Sequence, residues 1–298
     1  MKLNTLTLKA TALSFASFSL LAFTACTAAS EKNPNVQANS AKVNLLDYPL
    51  SNVLACLPDE NSIVAAHRGT SRAWDIPENS LEGLTRLIDA GTLIAEIDIA
   101  GLKDGQQIIF HDGVWERKTT GQGPVASSTS ADREKILLKS FAGTLSAERP
   151  PLLSDVLKLS KDKIFLEIDF KSSAETDVVL RQIRENDMSD QVVLIAYTDE
   201  RAKELHALAP EMLLSAPGEG RGKGLTPEKT LLWIGRDIGS ALAPTDNLGY
   251  IGMIGRDDAI EPKAKRAKFL VSDYPDQYDP ILGPDNSDEI AACLKDKS

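Results

Sequence analysis

His67-Arg68-Gly69 follows the short apolar run Ile63 to Ala66, and His111-Asp112 follows the run Gln107 to Phe110. Each run is β-prone and bounded by glycine or a polar turn. Each therefore reads as a buried strand with a histidine at its C-terminal end. Between the two histidines lie Pro77-Glu78-Asn79-Ser80 and Glu96-Ile97-Asp98. Side chains two apart on a strand share a face, so Glu96 and Asp98 can point together at one hard cation. Two imidazoles beside a carboxylate-bound cation suit acid–base hydrolysis of a phosphate ester. The third histidine, His206 in Glu204-Leu205-His206-Ala207, sits inside a helical stretch without partners and reads as structural.

The elements that must position these groups alternate. Strand candidates are Ile63–Ala66, Leu93–Ile99, Gln107–Phe110, Ile164–Phe170, Val192–Ala196, Met212–Ser215 and Phe269–Ser272, with Tyr250–Ile254 a weaker one. Leu81–Ala90, Leu152–Leu159, Ala174–Asn186 and Glu200–Ala209 read as helices, and Trp233 is placed on a helix as well. Alternation over this length means an α/β fold with a mainly parallel sheet. Eight strands favour a closed (β/α)8 TIM barrel, whose active site lies at the strand C-terminal ends. A doubly wound open sheet is the competitor, weakened by the missing Gly-rich phosphate fingerprint after the first strand. Residues 112–150 are too long for an ordinary connection and are expected to overhang the site as an inserted cap, with a short helix around Asp132–Lys139. Trp115 in that cap is expected either to line the pocket or to be an exposed or core aromatic.

The chain has 298 residues, 42% hydrophobic and 26% charged, with net charge −10. That supports a sizeable core and disfavours nucleic acid as a partner, since no basic cluster exceeds a few positions. Lys2 and Lys9 give a basic start, and Ala10 to Ala25 is uncharged and shorter than the ~20 residues of a comfortable membrane span. The ending Leu21-Ala22-Phe23-Thr24-Ala25-Cys26 resembles a bacterial lipoprotein signal. Residues 1–25 are then a signal peptide, Cys26 the lipidated residue, 26–42 a flexible tether and 43–298 the catalytic domain. An exported, membrane-anchored protein on the periplasmic face of the outer membrane is expected, with a periplasmic or secreted protein the alternative. Cys56 and Cys293 lie near opposite ends of the folded part, and domain ends often lie close together. A disulfide and two buried free thiols stay equally open.

Beyond this point the chain resembles the glycerophosphodiester phosphodiesterase family, from about Ser62 to Asp276. The resemblance rests on Ala66-His67-Arg68-Gly69, Pro77-Glu78-Asn79-Ser80, Glu96-Ile97-Asp98, Phe110-His111-Asp112 and Arg117-Lys118-Thr119-Thr120-Gly121, then Pro151 to Leu157 and Ser272-Asp273-Tyr274-Pro275. It implies a (β/α)8 barrel, a bound Mg2+ or Ca2+, and cleavage of glycerophosphodiesters to glycerol 3-phosphate and an alcohol. It assigns His67 and His111 as acid and base, and Glu96 and Asp98 as metal ligands. It places Glu78 near the metal or the substrate. Arg68 and Lys171 are expected at the substrate phosphate.

Two departures from the family pattern stand out. A carboxylate two residues before lysine fits Asp169 and Lys171, yet Glu167 faces the same way, so both Glu167 and Asp169 are candidate ligands. The expected Trp-Thr-Val-Asn type segment is replaced by Gly252-Met253-Ile254-Gly255-Arg256-Asp257. Alternative functions are a related barrel phosphodiesterase for a lysophospholipid, sphingolipid or phosphoinositide, and an inactive ligand-binding lipoprotein.

Overall fold

The computed structural model describes residues 43–217, 223–234, 248–254 and 267–297. Cys26, the signal segment, the tether and residues 255–257 lie outside them. In chain order the helices of more than three residues are α1 (Leu50–Cys56), α2 (Leu81–Asp89), α3 (Ser130–Arg133), α4 (Leu153–Ser160), α5 (Thr176–Glu185), α6 (Asp199–Leu208) and α7 (Ser287–Lys297). The strands are β1 (Ser62–Ala66), β2 (Ile94–Gly101), β3 (Gln107–Ile109), β4 (Phe165–Phe170), β5 (Val192–Ile195), β6 (Leu213–Pro217), β7 (Thr230–Ile234), β8 (Leu248–Ile254), β9 (Phe269–Ser272) and β10 (Ile281–Leu282).

Eight of these strands pair in parallel as β1-β2-β4-β5-β6-β7-β8-β9, and β9 returns to β1 to close the ring. This is the TIM-barrel type of α/β fold. β3 and β10 are antiparallel additions on β2 and β1.

Membership of the ring differs from the sequence expectation at one strand. Gln107–Ile109 does not belong to it. Only a tight turn separates β2 from β3, with Gly105 at φ 82° and its N–H donating to the Leu102 carbonyl. A parallel crossover needs a dozen residues or more, so β3 must fold back antiparallel. The missing barrel strand is Thr230–Ile234, which carries Trp233. Trp233 is therefore on a strand and not on a helix. A short apolar run that is not alternating does not separate a buried strand from a helix by period alone.

The walls have two apolar faces. Ala95, Ile97, Ile99, Leu166, Ile168, Val192 and Leu194 face outward onto Leu84, Leu87, Val156, Val179 and Ile183 of the surrounding helices. Ile63, Ala65, Ile94, Phe165, Val193, Leu213, Leu231, Phe269 and Val271 fill the inside of the lower barrel. That floor is closed by Leu50, Val53 and Leu54 of α1 with Ile290 and Leu294 of α7. Cys56 and Cys293 join these two helices in a disulfide, with Cα atoms 5.6 Å apart.

The insertion has its own small core of Phe110, Trp115, Val125, Ile136 and Leu138. Trp115 is fully buried there, 4.9 Å from the Phe110 ring, and its Nε1 donates to Ser128 Oγ at 2.8 Å. It is core, not pocket lining. The insertion's helix comes earlier than expected, at Ser130–Arg133, and is capped by a reciprocal Thr129–Asp132 box. Leu138 and Lys139 instead make isolated bridges to Thr119 and Leu145. Glu148 anchors the insertion to the barrel by accepting from the free N–H groups of Leu81 and Glu82 at the start of α2.

Candidate active site

Inward-facing positions along β2 run Ile94, Glu96, Asp98, and those along β4 run Phe165, Glu167, Asp169. The two strands pair in register, Glu96 beside Glu167 and Asp98 beside Asp169. Four carboxylates thus crowd the upper barrel, each at most 5% exposed. Single carboxylate oxygens of Glu96, Asp98 and Asp169 lie within 4.8 Å of one another, an arrangement that could hold a metal ion. Glu167 lines the same cavity of about 220 Å³, together with His67, His111, Lys171 and Tyr197.

The electrostatics of the cluster are those of a cation site. Burial, then the neighbouring Asp98, pushes the Glu96 carboxyl well above its ordinary range, with Glu167 and Asp169 adding to this. Burial likewise raises Glu167 to about 8. One Glu167 oxygen is buried with no hydrogen-bond partner. Among the described residues Lys171 offsets these charges most closely, its Nζ lying 2.6 Å from Asp98 Oδ1 and 2.7 Å from Asp169 Oδ2. One ammonium against four buried carboxylates leaves the site short of positive charge. An all-oxygen donor set of this kind fits a hard divalent cation.

Backbone and side chains aim the ligands. Asn79, in the left-handed region at φ 54°, donates through Nδ2 to Asp98 Oδ2 at 2.7 Å and accepts from the Asp98 N–H at 3.1 Å. Asn79 therefore positions a carboxylate, and Ser80 is the residue that caps α2, accepting from the Gly83 N–H. Arg68, also left-handed at φ 56°, donates its N–H to Glu96 Oε2 at 2.7 Å. Non-glycine residues held there cost roughly 1–3 kcal/mol each, and such strain gathers where a site demands it.

Both histidines are held the same way. His67 Nδ1 meets Asp273 Oδ1 at 2.7 Å, and His111 Nδ1 meets Asp112 Oδ1 at 2.7 Å. Each ring thus keeps Nε2 for the site. His67 Nε2 is 4.0 Å from Glu96 Oε2. His111 Nε2 is 2.9 Å from Arg68 Nη2. A guanidinium only donates, so His111 Nε2 accepts and its proton sits on Nδ1. Both partner carboxylates stay acidic: burial works against it, but the hydrogen bond from His67 holds Asp273 low, and those from Arg117 and His111 hold Asp112 low.

The expected residues converge, with Glu78 set slightly apart. It is buried and accepts from Arg68 Nη1 at 3.0 Å and Arg117 Nη2 at 2.6 Å, outside the carboxylate cluster. Sequence reasoning did not single out Asp273, Asp112, Arg117 or Tyr197 as site residues, although all but Tyr197 lie inside quoted motifs. Tyr197 follows β5 and donates to Asp169 Oδ2 at 2.7 Å. Its ring sits 6.2 Å edge-on from Trp233. Its position just past a barrel strand was the available signal. His206 is not without partners: its Nε2 lies 3.1 Å from Thr226 Oγ1, far along the chain from the cluster.

Comparison with known proteins agrees with this picture. Residues 67–208 match the model of the Glycerophosphoryl diester phosphodiesterase family. A glycerophosphodiester phosphodiesterase of Caldanaerobacter subterraneus subsp. tengcongensis is 28% identical over 158 residues, covering 51% of this chain and 64% of the relative. The chain thus spans under two thirds of that relative's length. A glycerophosphoryl diester phosphodiesterase from Parabacteroides distasonis has a similar structure, with TM-score 0.62 and 18% identity over 82% of this chain and 91% of that one. An Oleispira antarctica phosphodiesterase, solved with the product sn-glycerol-3-phosphate, superposes with TM-score 0.56 and 18% identity, covering 82% and 99%. At these identities the structural likeness is one of fold.

Proposed function

We propose that the chain hydrolyses glycerophosphodiesters to glycerol 3-phosphate and an alcohol, with His67 and His111 as acid and base and with dependence on a divalent cation. One observation carries the reading: two aspartate-anchored histidines share a single cavity with the three-carboxylate cluster. Glu96, Asp98 and Asp169 would hold Mg2+ or Ca2+, with Glu167 beside them, and the cation would supply positive charge to the phosphoryl group. Arg68 and Lys171 take phosphate oxygens, exchanging part of their present carboxylate contacts for the substrate. His111, whose Nε2 carries the lone pair in this arrangement, is the base that takes the proton of the nucleophile, whether water or the substrate's own 2-hydroxyl. His67, whose Nδ1 is held by Asp273, is the acid that protonates the departing alkoxide. The test is release of the phosphomonoester product, glycerol 3-phosphate from glycerophosphocholine and glycerophosphoethanolamine and lysophosphatidic acid from lysolipids, with and without EDTA. Release from the first two in the presence of cation supports the reading. Release from lysolipids only moves the activity to the lipid class, and none from any substrate removes it.

We also propose that the mature protein begins at a lipidated Cys26 and works from a membrane through the 26–42 tether. The pattern of residues 1–26 supports this. Cys26→Ser should move the protein from the membrane fraction to the soluble one without changing turnover on a soluble substrate. Recovery of the wild-type chain as a soluble species beginning after residue 26 would overturn the anchor.

A further inference from the structure

The carboxylate cluster does not account for a second charged feature of the mouth. Four cationic side chains, Arg68, Arg72, Arg117 and Lys118, share one neighbourhood in a chain whose net charge is −10. Three of them are already engaged. Arg68 and Arg117 hold Glu78, Arg117 also holds Asp112, and Arg72 holds Asp273 with Nε 3.2 Å from Oδ2. Lys118 differs. Among the described residues it has no carboxylate partner. Its Nζ rests 4.5 Å from the centre of the Phe141 ring and 3.3 Å from the Ser140 carbonyl. Arg72 lies over the same ring at 5.5 Å. Phe141 therefore bridges the arginine that supports the His67 side and the lysine that follows the arginine supporting the His111 side. Burial lowers the Lys118 ammonium from its ordinary range, and the charges of Arg117, Arg72 and Arg68 add to this, against the pull of Glu78. A half-buried cation next to other cations, supported by a ring face and one carbonyl, is short of an anion.

Further round the ring from β1 and β2 the mouth is built differently, with Tyr197 just past β5 and Trp233 near the end of β7. A diester phosphate at the carboxylate cluster therefore has an anion-seeking side and an aromatic side. We infer that the cationic rim centred on Lys118 is a subsite for a second phosphate carried on the leaving alcohol of the diester. This rests on the phosphodiesterase reading and adds the substrate class to it. In bis(glycerophospho)glycerol, water attacks one phosphorus and the bond from that phosphorus to the central glycerol oxygen breaks. That oxygen takes the proton, so the products are glycerol 3-phosphate and glycerophosphoglycerol. Glycerophosphoglycerol is cleaved in the same way to glycerol 3-phosphate and glycerol. It lacks the second phosphate together with the terminal glycerol that phosphate carries, and the Lys118 variants separate the charge from the added glycerol.

The matched pair tests the subsite. In the wild-type protein, kcat/KM for bis(glycerophospho)glycerol should exceed that for glycerophosphoglycerol by about tenfold after correction for its two equivalent ends, the size of one charge-assisted hydrogen bond. Lys118→Gln should bring the two substrates close to parity through KM, leaving kcat/KM on glycerophosphoglycerol unchanged, and Lys118→Arg should keep the preference. Parity in the wild type, a preference that survives in Lys118→Gln, or an equal loss on both substrates would each overturn the subsite while leaving the phosphodiesterase reading in place. No turnover of either substrate would remove both.

Discussion

The floor and the mouth of the barrel are built from the same strands, two residues apart. Ile94 and Phe165 face inward at the bottom of β2 and β4, while Glu96, Asp98, Glu167 and Asp169 face inward above them. The floor is apolar, closed by α1 and α7, and gains stability from every atom it buries. The mouth buries four carboxylates and gives up stability to keep them there. Strand geometry is common to both, so the difference is one of chemistry alone. Stability is invested in the floor, and function in the mouth.

Substitutions at the two levels should therefore separate stability from turnover. The largest stability effect is expected at the floor. Phe165→Ala should cost about 3–5 kcal/mol of unfolding free energy, measured by urea denaturation. Turnover per folded molecule should stay close to wild type. A loss of turnover as large as that from a mouth substitution would erase the division. At the mouth, His67→Ala and His111→Ala should each lower turnover by about 100-fold or more with little change in stability. The two also sharpen the assignment of roles. A diester with a p-nitrophenol leaving group needs no acid, so it should rescue His67→Ala and not His111→Ala. Rescue of the other variant would exchange the two roles.

A smaller effect follows from the raised carboxyls. Glu167 is raised to about 8 in the folded protein against an ordinary 4.5. The folded state then binds more protons than the unfolded state between those values, so this group's contribution falls as pH rises from about 4.5 to about 8. In chelator, the melting temperature should decline over that window, and Glu167→Gln should flatten the decline. An unchanged pH profile in the variant would show that Glu167 is not strained. Smallest of all should be the effect of the Cys56–Cys293 disulfide, which fastens α1 to α7 beneath the floor. The chain-entropy limit for so long a loop is on the order of 5 kcal/mol. Here β9, which pairs with β1, already brings the two ends together, so reduction should cost well below that limit in a thermal melt and leave turnover unchanged.

Much of the mouth was legible in the sequence because its signals are local. Glu96-Ile97-Asp98 and Glu167-Ile168-Asp169 declare a shared face by their spacing, and strand registry then brings the two pairs together. The partners that fix the histidines were less legible. Asp112 is adjacent in sequence to His111, but Asp273 meets His67 only because β9 closes the barrel beside β1. The barrel's strand count came out right while one member was wrong. Gln107–Ile109 has the composition of a strand, and only the shortness of its connection to β2 shows that it runs antiparallel. That reversal carries function. It turns the chain back along β2, the Phe110 N–H donating to the Asp98 carbonyl, and delivers His111 beside the cluster.

The central claim is that the mouth is a divalent-cation site built on a barrel whose floor is purely structural. Calorimetric titration of chelator-treated protein with Mg2+ and Ca2+, in wild type, Asp98→Asn and Phe165→Leu, tests it directly. The account predicts one saturable site in the wild type, strongly weakened by Asp98→Asn and untouched by Phe165→Leu. No saturable binding in the wild type, or binding that Asp98→Asn leaves intact, would contradict it.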